Sequence, residues 1–131
     1  MRHALIALTL TLAGPALAED PAPGEELYLS RCGACHGVAA RGDGPMAALL
    51  TIPVPDLTQL AVRNGGMFPR ADVVRAIDGR LSLVGHGGPM PVFGRLLGGG
   101  SAVIDGPDGS VIQTKGDVVA IARHIEELQA E

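Results

Sequence analysis

The chain has few aromatic side chains and no tryptophan. Its 131 residues include one tyrosine, Tyr28, and two phenylalanines, Phe68 and Phe93. Glycine and proline, in contrast, number 19 and 10. A short chain with so little aromatic bulk and so many helix-breaking residues has difficulty filling a core with its own side chains. We therefore expect a buried apolar ligand to supply the missing bulk.

Basic residues are also few, and one of them, Arg2, lies in an N-terminal segment with the features of a signal peptide. Arg2 forms a positive n-region, residues 4–12 are apolar, and Ala16-Leu17-Ala18 has the small residues that signal peptidase requires. The apolar stretch is shorter than the ~20 residues that a membrane-spanning helix needs, and Gly14-Pro15 interrupts it. We predict that residues 1–18 are a cleaved signal peptide, and that the mature chain is exported without a stable membrane insertion.

Residues 19–131 then remain as one small domain. This part of the chain has nine basic residues against 14 acidic ones, a net charge of −5. An acidic protein is repelled by phosphate backbones, so nucleic acid is excluded as a partner.

Cysteine occurs only twice, and both cysteines lie in the run Cys32-Gly33-Ala34-Cys35-His36. This Cys-x-x-Cys-His pattern is the attachment signature of a c-type haem. Two thiols on one helical turn can each form a thioether to a vinyl group of the same porphyrin. The adjoining imidazole of His36 is then placed as the proximal ligand of the iron.

Three other interpretations of the two cysteines compete with haem attachment. A thioredoxin-type dithiol follows a buried strand, whereas residues 25–31 before the motif have a helical pattern. A structural zinc site needs four Cys or His ligands, and no second pair follows downstream. A disulfide between residues this close on one helical turn is geometrically awkward. Haem attachment is favoured over all three.

Helical patterns are strongest at the two ends of the mature chain. The first helix begins near Gly24 and carries Tyr28 on the same face. The last helix runs to Gln129, with apolar residues at helical spacing, and Thr114 to Asp117 has the spacing of a capping box. We expect this helix to cross the first one over Gly24 and to pack on Tyr28.

Short elements with clear start and stop signals lie between these helices. Met46 to Leu50 has room for one or two helical turns, Asp56 caps a short helix that runs through Arg63, and Pro69 opens another that ends at Gly79. No alternating run is long enough for a sheet of several strands. Residues 95–114 are an apparent insertion, either a mobile loop or a small hairpin.

A methionine fixed between two prolines, Met90, is the candidate second axial ligand. It follows His36 by 54 residues, which is far enough for the chain to pass round a haem edge. A thioether is a soft, neutral donor that stabilises ferrous iron and raises the reduction potential. The other candidates are Met46 and Met67, and we expect both of these to pack instead.

These features together resemble the small monohaem class I c-type cytochromes. The matching residues cover most of positions 24 to 131: Gly24 and Tyr28, Cys32 to Gly37, Gly42 to Pro45, Pro55 to Thr58, Asn64 to Pro69, Ile77 to Arg80, His86-Gly87, Met90 to Gly94, and His124 to Gln129. The sequence departs from the pattern at Phe93, where many such proteins have tryptophan.

The resemblance implies an all-α cytochrome c fold around one covalent haem c, with its terminal helices packed together. It implies that Cys32 and Cys35 hold the haem, that His36 and Met90 are axial ligands, and that the Pro45 carbonyl accepts from the second nitrogen of His36. Export agrees with it, because bacteria attach haem c in the periplasm.

The implied function is that of a monomeric periplasmic electron carrier, not an enzyme, which docks transiently with redox proteins. Two alternatives remain open. One is an electron-relay subunit of a larger dehydrogenase or oxidase, and the other is a haem enzyme or gas sensor with a displaceable sixth ligand. For the remaining polar residues we expect solvent exposure: Arg63, Arg80, His86 and His124. The alternatives are a haem propionate as the partner of Arg63 or Arg80, and a position near the haem for His86, which is four residues before Met90.

Overall fold

The computed structural model describes residues 23–81 and 90–130. Within these ranges the chain forms five α-helices, two 3-10 turns and one β-hairpin. In chain order the elements are α1 (Pro23–Arg31), α2 (Gly33–His36), a 3-10 turn (Ala47–Leu49), a second 3-10 turn (Leu57–Gln59), α3 (Leu60–Arg63), α4 (Arg70–Ile77), β1 (Ser101–Asp105), β2 (Val111–Lys115) and α5 (Gly116–Glu127). The predicted signal peptide and His86 lie outside the described residues. None of the described helices is long and apolar enough to cross a membrane.

Helices α1 and α5 cross in close contact, as the sequence predicts. A Cβ atom added to Gly24 would lie only 2.9 Å from the carbonyl carbon of Ala120. One turn further along α1, the ring of Tyr28 is fully buried. Its centroid lies 5.1 Å from that of His124 on α5. The prediction that His124 is exposed is therefore wrong, because its ring packs against Tyr28.

The buried face of α5 is the centre of the hydrophobic core. Val118, Ile121, Ala122 and Ile125 recur at helical spacing and are all buried. Each large aliphatic side chain buried in this way stabilises the fold by roughly 1.5–3 kcal/mol. Helix α4 packs against this face with its own apolar side, which consists of Ala71, Val73, Val74 and Ile77.

The start of α5 differs from the predicted capping box. Thr114 lies in β2, and its hydroxyl donates to Asp78 at 2.9 Å instead of capping the helix. The residue before α5 is Lys115, which makes no side-chain cap. The first amides of α5 donate to carbonyls of the preceding loop, Gly116 to Gly100 at 3.1 Å and Asp117 to Gly98 at 3.3 Å. Because the loop satisfies these amides, a capping side chain is not needed.

The middle of the chain follows its predicted start signals. The carboxylate of Asp56 accepts from the amide of Thr58 at 2.9 Å and caps the 3-10 turn that leads into α3. Gln129, which lies just after α5, fastens this region to that helix. Its side chain accepts from the Ala61 amide at 2.8 Å and donates to the Leu57 carbonyl at 2.8 Å.

The apparent insertion folds as a hairpin, so the all-α prediction is only partly correct. Strands β1 and β2 pair antiparallel, with Ile104 opposite Ile112 and Val103 opposite Gln113. Ile112 is buried and Ile104 packs against the core, whereas Val103 is 62 % exposed. One face of the hairpin therefore extends the core, and the other faces solvent. The protein is helical with a small two-stranded sheet.

Replacing Gly24 with alanine is expected to destabilise the protein by about 1–3 kcal/mol, because the added Cβ collides with the Ala120 backbone on α5. The measurement is the free energy of unfolding in guanidinium chloride. The matched control is Gly33→Ala, whose Cβ would meet its nearest atoms at an ordinary 3.9 Å. Equal stability of the two variants would contradict the close helix crossing.

Candidate haem site

The Cys-x-x-Cys-His motif lies on one turn where α1 passes into α2. The amide of Cys32 donates to the Tyr28 carbonyl at 2.7 Å, so the hydrogen bonds of α1 continue into the motif. The amide of His36 then donates to the Cys32 carbonyl at 2.9 Å. The motif thus follows a helix and no strand precedes it within residues 23–31. This is the opposite of the strand-to-helix arrangement of a thioredoxin-type dithiol.

The two cysteine side chains lie in different surroundings and do not form a disulfide with each other. Cys32 is buried in the hydrophobic core, and Cys35 is partly exposed. Burial, with a smaller contribution from Cys35, raises the pKa of Cys32 to about 11. Redox-active and metal-binding thiols instead have a lowered pKa, because the thiolate is their working form. The surroundings of Cys32 therefore differ from those of a redox-active or metal-binding thiol.

The imidazole of His36 is buried and held by one of its two nitrogens. Its Nδ1 lies 3.4 Å from the carbonyl oxygen of Pro55. With the proton on Nδ1 directed to this carbonyl, the lone pair of Nε2 is the one available to a metal. Burial lowers the pKa of His36, although the bond to Pro55 acts in the opposite direction. The neutral imidazole, which is the form that binds metals, is thereby favoured.

The identity of the carbonyl partner corrects the sequence-based expectation, which was Pro45. The segment around Pro45 is fixed in another way, since the amides of Gly44 and Met46 donate to the carbonyls of Cys35 and Ala34 at 3.1 and 2.9 Å. It approaches the motif so closely that a Cβ on Gly44 would lie 2.7 Å from the Cys35 carbonyl carbon. This loop braces the backbone of the motif, and Pro55 orients the ring.

Tyr28 connects the helix crossing to the motif. Its hydroxyl donates to the carbonyl of Gly37, the residue after His36, at 2.8 Å. Desolvation by burial is the main reason that the pKa of Tyr28 is raised well above its usual value. The hydroxyl consequently remains protonated and keeps its role as a donor.

Met90 lies on the edge of the same core. It is partly buried and packs against the cluster that contains Cys32, Tyr28 and the apolar face of α5. The other two candidate methionines do not pack as expected, since Met46 is 45 % exposed and Met67 is 71 % exposed. Met90 is therefore the one methionine among residues 23–81 and 90–130 that contacts this core.

The comparison with protein-family models agrees with these features, because the model described as Cytochrome c matches residues 21–96. The chain belongs to the cytochrome c family. Comparisons with curated proteins and with solved structures gave no match. Membership of this family implies a covalently attached haem c and electron transfer. The matched range contains the motif and Met90, and it ends before the hairpin and α5.

The residues present fit a haem c in their donor chemistry. Two free thiols, the imidazole with an available Nε2 and the thioether of Met90 make up the set that this cofactor takes, two attachment points and two axial donors. A structural zinc site would require four ligands, most often Cys or His side chains. Within the described residues, no group of three or more His, Cys, Asp or Glu side chains is placed to hold a metal ion.

Large apolar side chains are exposed on the segments that follow His36 and Met90. Leu49 is 73 % exposed, Ile52 is 51 % exposed and Val92 is 54 % exposed. These exposed side chains are therefore available to contact an apolar cofactor.

Several polar residues near the site have partners that the sequence does not indicate. Arg63 donates to the Asp56 carbonyl at 3.5 Å. Arg80 donates to Asp78 and to the Gln113 carbonyl, so it is engaged with the hairpin and not simply solvated. The Asp78 side chain is 9 % exposed, and no pattern in the neighbouring sequence predicts this burial. The burial depends on contacts with β2, about 35 positions further along the chain.

Tyr28→Phe removes one of the two donors to the buried Gly37 carbonyl, the other being the Ala40 amide at 3.2 Å, and should lower the free energy of unfolding of the haem-loaded protein by about 0.5–1.5 kcal/mol. Denaturant titration followed by absorbance measures the change. Ser30→Ala is the control, since the Ser30 hydroxyl donates to Leu27 on the exposed side of α1. A loss in Tyr28→Phe no greater than in the control would refute this role.

Proposed function

We propose that the protein is a periplasmic electron carrier with one haem c, held by Cys32 and Cys35 and ligated by His36 and Met90. The haem, when bound, supplies an iron that accepts and releases one electron. The observation that supports the proposal is that Cys32 of the motif lies in the hydrophobic core against which Met90 also packs. The imidazole of His36, four residues after Cys32, is oriented by Pro55.

The residues of the chain support electron transfer because they are held in fixed positions. His36 is fixed by Pro55, the motif by main-chain bonds from residues 42–46, and Met90 by the apolar core. A donor set that does not rearrange keeps the energetic cost of electron transfer low. The thioether of Met90 favours the reduced state, because it is a soft, neutral ligand.

A haem enzyme or gas sensor is a less suitable interpretation. Such a protein would be expected to place polar acid and base groups next to the sixth ligand. The residues that follow Met90 in the described chain are Pro91, Val92 and Phe93, which are all apolar. The described surroundings of Met90 therefore support a carrier.

A relay subunit of a larger dehydrogenase or oxidase would have the same haem chemistry but a permanent partner. The hairpin provides the observation that favours this alternative. Val103 and Val111 are 62 % and 67 % exposed on its outer face. A free carrier needs only small, transient contacts with its redox partners. We take the free monomeric carrier as the main proposal.

Location follows from the predicted signal peptide and the attached haem. The exported product is expected to begin at Glu19 and to carry the mass of one haem bound to the chain, as measured by intact-protein mass spectrometry after expression with a haem attachment system. The variant Cys32→Ala/Cys35→Ala should retain no haem after denaturation, because both thioethers are lost. An exported wild-type chain without added haem would refute the proposed function.

Met90 is tested by carbon monoxide binding to the reduced protein. Wild type should be low-spin and should not bind carbon monoxide, whereas Met90→Ala should bind it readily because the sixth position is open. Absorbance spectra with and without the gas measure the difference. Met67→Ala is the control, since Met67 is mostly exposed, and it should behave as wild type. Ready binding by wild type would support the enzyme or sensor alternative instead.

A further inference from the structure

A polar cluster joins the end of α4 to strand β2. It consists of Asp78, Arg80, Gln113 and Thr114, and is called the Asp78 cluster here. The carboxylate of Asp78 is largely buried and accepts from the Thr114 hydroxyl at 2.9 Å and from the Arg80 guanidinium. Arg80 also donates to the main-chain carbonyl of Gln113. A buried carboxylate with two donors fixes a specific geometry, because loss of Arg80 would leave its charge unpaired and loss of the Thr114 hydroxyl would remove one of its hydrogen bonds.

The backbone at Asp78 and Gly79 is the surface on which the segment after Met90 rests. A Cβ added to Gly79 would lie 2.5 Å from Cγ1 of Val92. A Cβ added to Gly94 would lie 3.0 Å from both Cα and the carbonyl oxygen of Asp78. The Val92 side chain therefore lies against Gly79, and the backbones at Gly94 and Asp78 approach each other closely. A movement of the Asp78 backbone must displace residues 92–94, which begin two positions after Met90.

The other end of this segment is also fastened near β2. The amides of Leu96 and Leu97 donate to the Phe93 carbonyl, and Leu97 is buried. The ammonium of Lys115, the last residue of β2, donates to the Leu97 carbonyl at 2.7 Å. One residue later, the Gly98 amide donates to the Asp117 carboxylate at 2.7 Å. The hairpin thus contacts the segment that follows Met90 in two places. Residues of β2 bind Asp78 and Arg80, next to which this segment lies, and Lys115 binds the end of the segment at Leu97.

We infer that the Asp78 cluster is a positioning device for Met90, by which the hairpin holds the methionine-bearing segment in place. The inference rests on the proposed His36 and Met90 ligation. The residues of the cluster act through the backbone of Asp78 and Gly79, and are not ligands. If the cluster is weakened, the segment spends more time displaced, and the sixth position is open to other ligands for a larger fraction of the time.

Imidazole binding to the ferric, haem-loaded protein measures this open fraction. Imidazole can bind the iron only while Met90 is displaced. Its apparent affinity is therefore the intrinsic affinity multiplied by the fraction of molecules in which the sixth position is open. In Thr114→Val, the Asp78 carboxylate loses one hydrogen bond, and we expect imidazole to bind about tenfold more tightly, the factor that corresponds to one such bond. Arg80→Leu should act in the same direction. Absorbance titration gives both values.

Two matched controls separate positioning from general destabilisation. Thr58→Val removes a hydroxyl that donates to Asp56 at 2.6 Å, a threonine-to-aspartate bond within one turn. Arg70→Leu removes an arginine of α4 that pairs with Glu126 on α5 at 2.5 Å. Both controls should leave imidazole affinity near that of wild type, even where their denaturant midpoints fall as far as those of Thr114→Val and Arg80→Leu.

Each other outcome overturns the inference in a recognisable way. Unchanged imidazole affinity in Thr114→Val and Arg80→Leu, with a wild type that resists imidazole, refutes the role of the cluster but leaves the proposed function intact. Equal tightening in all four variants means that the effect is general loss of stability. If wild type binds imidazole as tightly as Met90→Ala, then Met90 is not a ligand, and both the ligation and the inference fail.

Discussion

The crossing of α1 over α5 is the contact on which the rest of the structure depends. Gly24 brings the two backbones together, and Tyr28 fills the space beside it. On one side, α1 continues by hydrogen bonds into the Cys-x-x-Cys-His turn, and Tyr28 also holds the Gly37 carbonyl. On the other side, the buried face of α5 packs against α4, which ends at Ile77, one residue before Asp78. A single helix contact therefore connects the motif, through α1, with α4, through α5.

Much of this arrangement could be predicted from the sequence, because local signals decide it. Asp56 satisfies an amide two residues away, Pro69 precedes the first turn of α4, and the apolar spacing of α5 determines its buried face. The attachment motif is equally local, since five adjacent residues specify both the chemistry and the helical turn that carries it. The position of Met90 could not be predicted in this way. Its two flanking prolines indicate a constrained loop, but they do not determine what that loop packs against.

The features that the sequence did not indicate all depend on partners far along the chain. The imidazole of His36 pairs with a carbonyl 19 positions away, and Thr114 pairs with Asp78 at a separation of 36. The amide of Gln129 bridges 68 positions to reach Ala61. In each case the sequence-based expectation is a partner or role closer along the chain. These expectations are the Pro45 carbonyl as the partner of His36, a helix cap formed by Thr114, and the end of the last helix at Gln129. The tertiary partners prevailed because burial makes an unpaired polar group costly.

The hairpin shows how an additional element can be placed in such a small fold without disturbing its core. Its two ends are adjacent, since Gly98 and Gly100 accept from the first amides of α5, and a Cβ on Gly116 would lie 3.0 Å from the Gly99 carbonyl carbon. The chain therefore leaves after Leu97 and returns at almost the same point, so the added loop-closure cost is small. Its inner face enlarges the core through Ile112, which is buried, and Ile104, which packs against it. The same strand also carries Thr114, which donates to Asp78, so the hairpin contacts the end of α4 as well as the core.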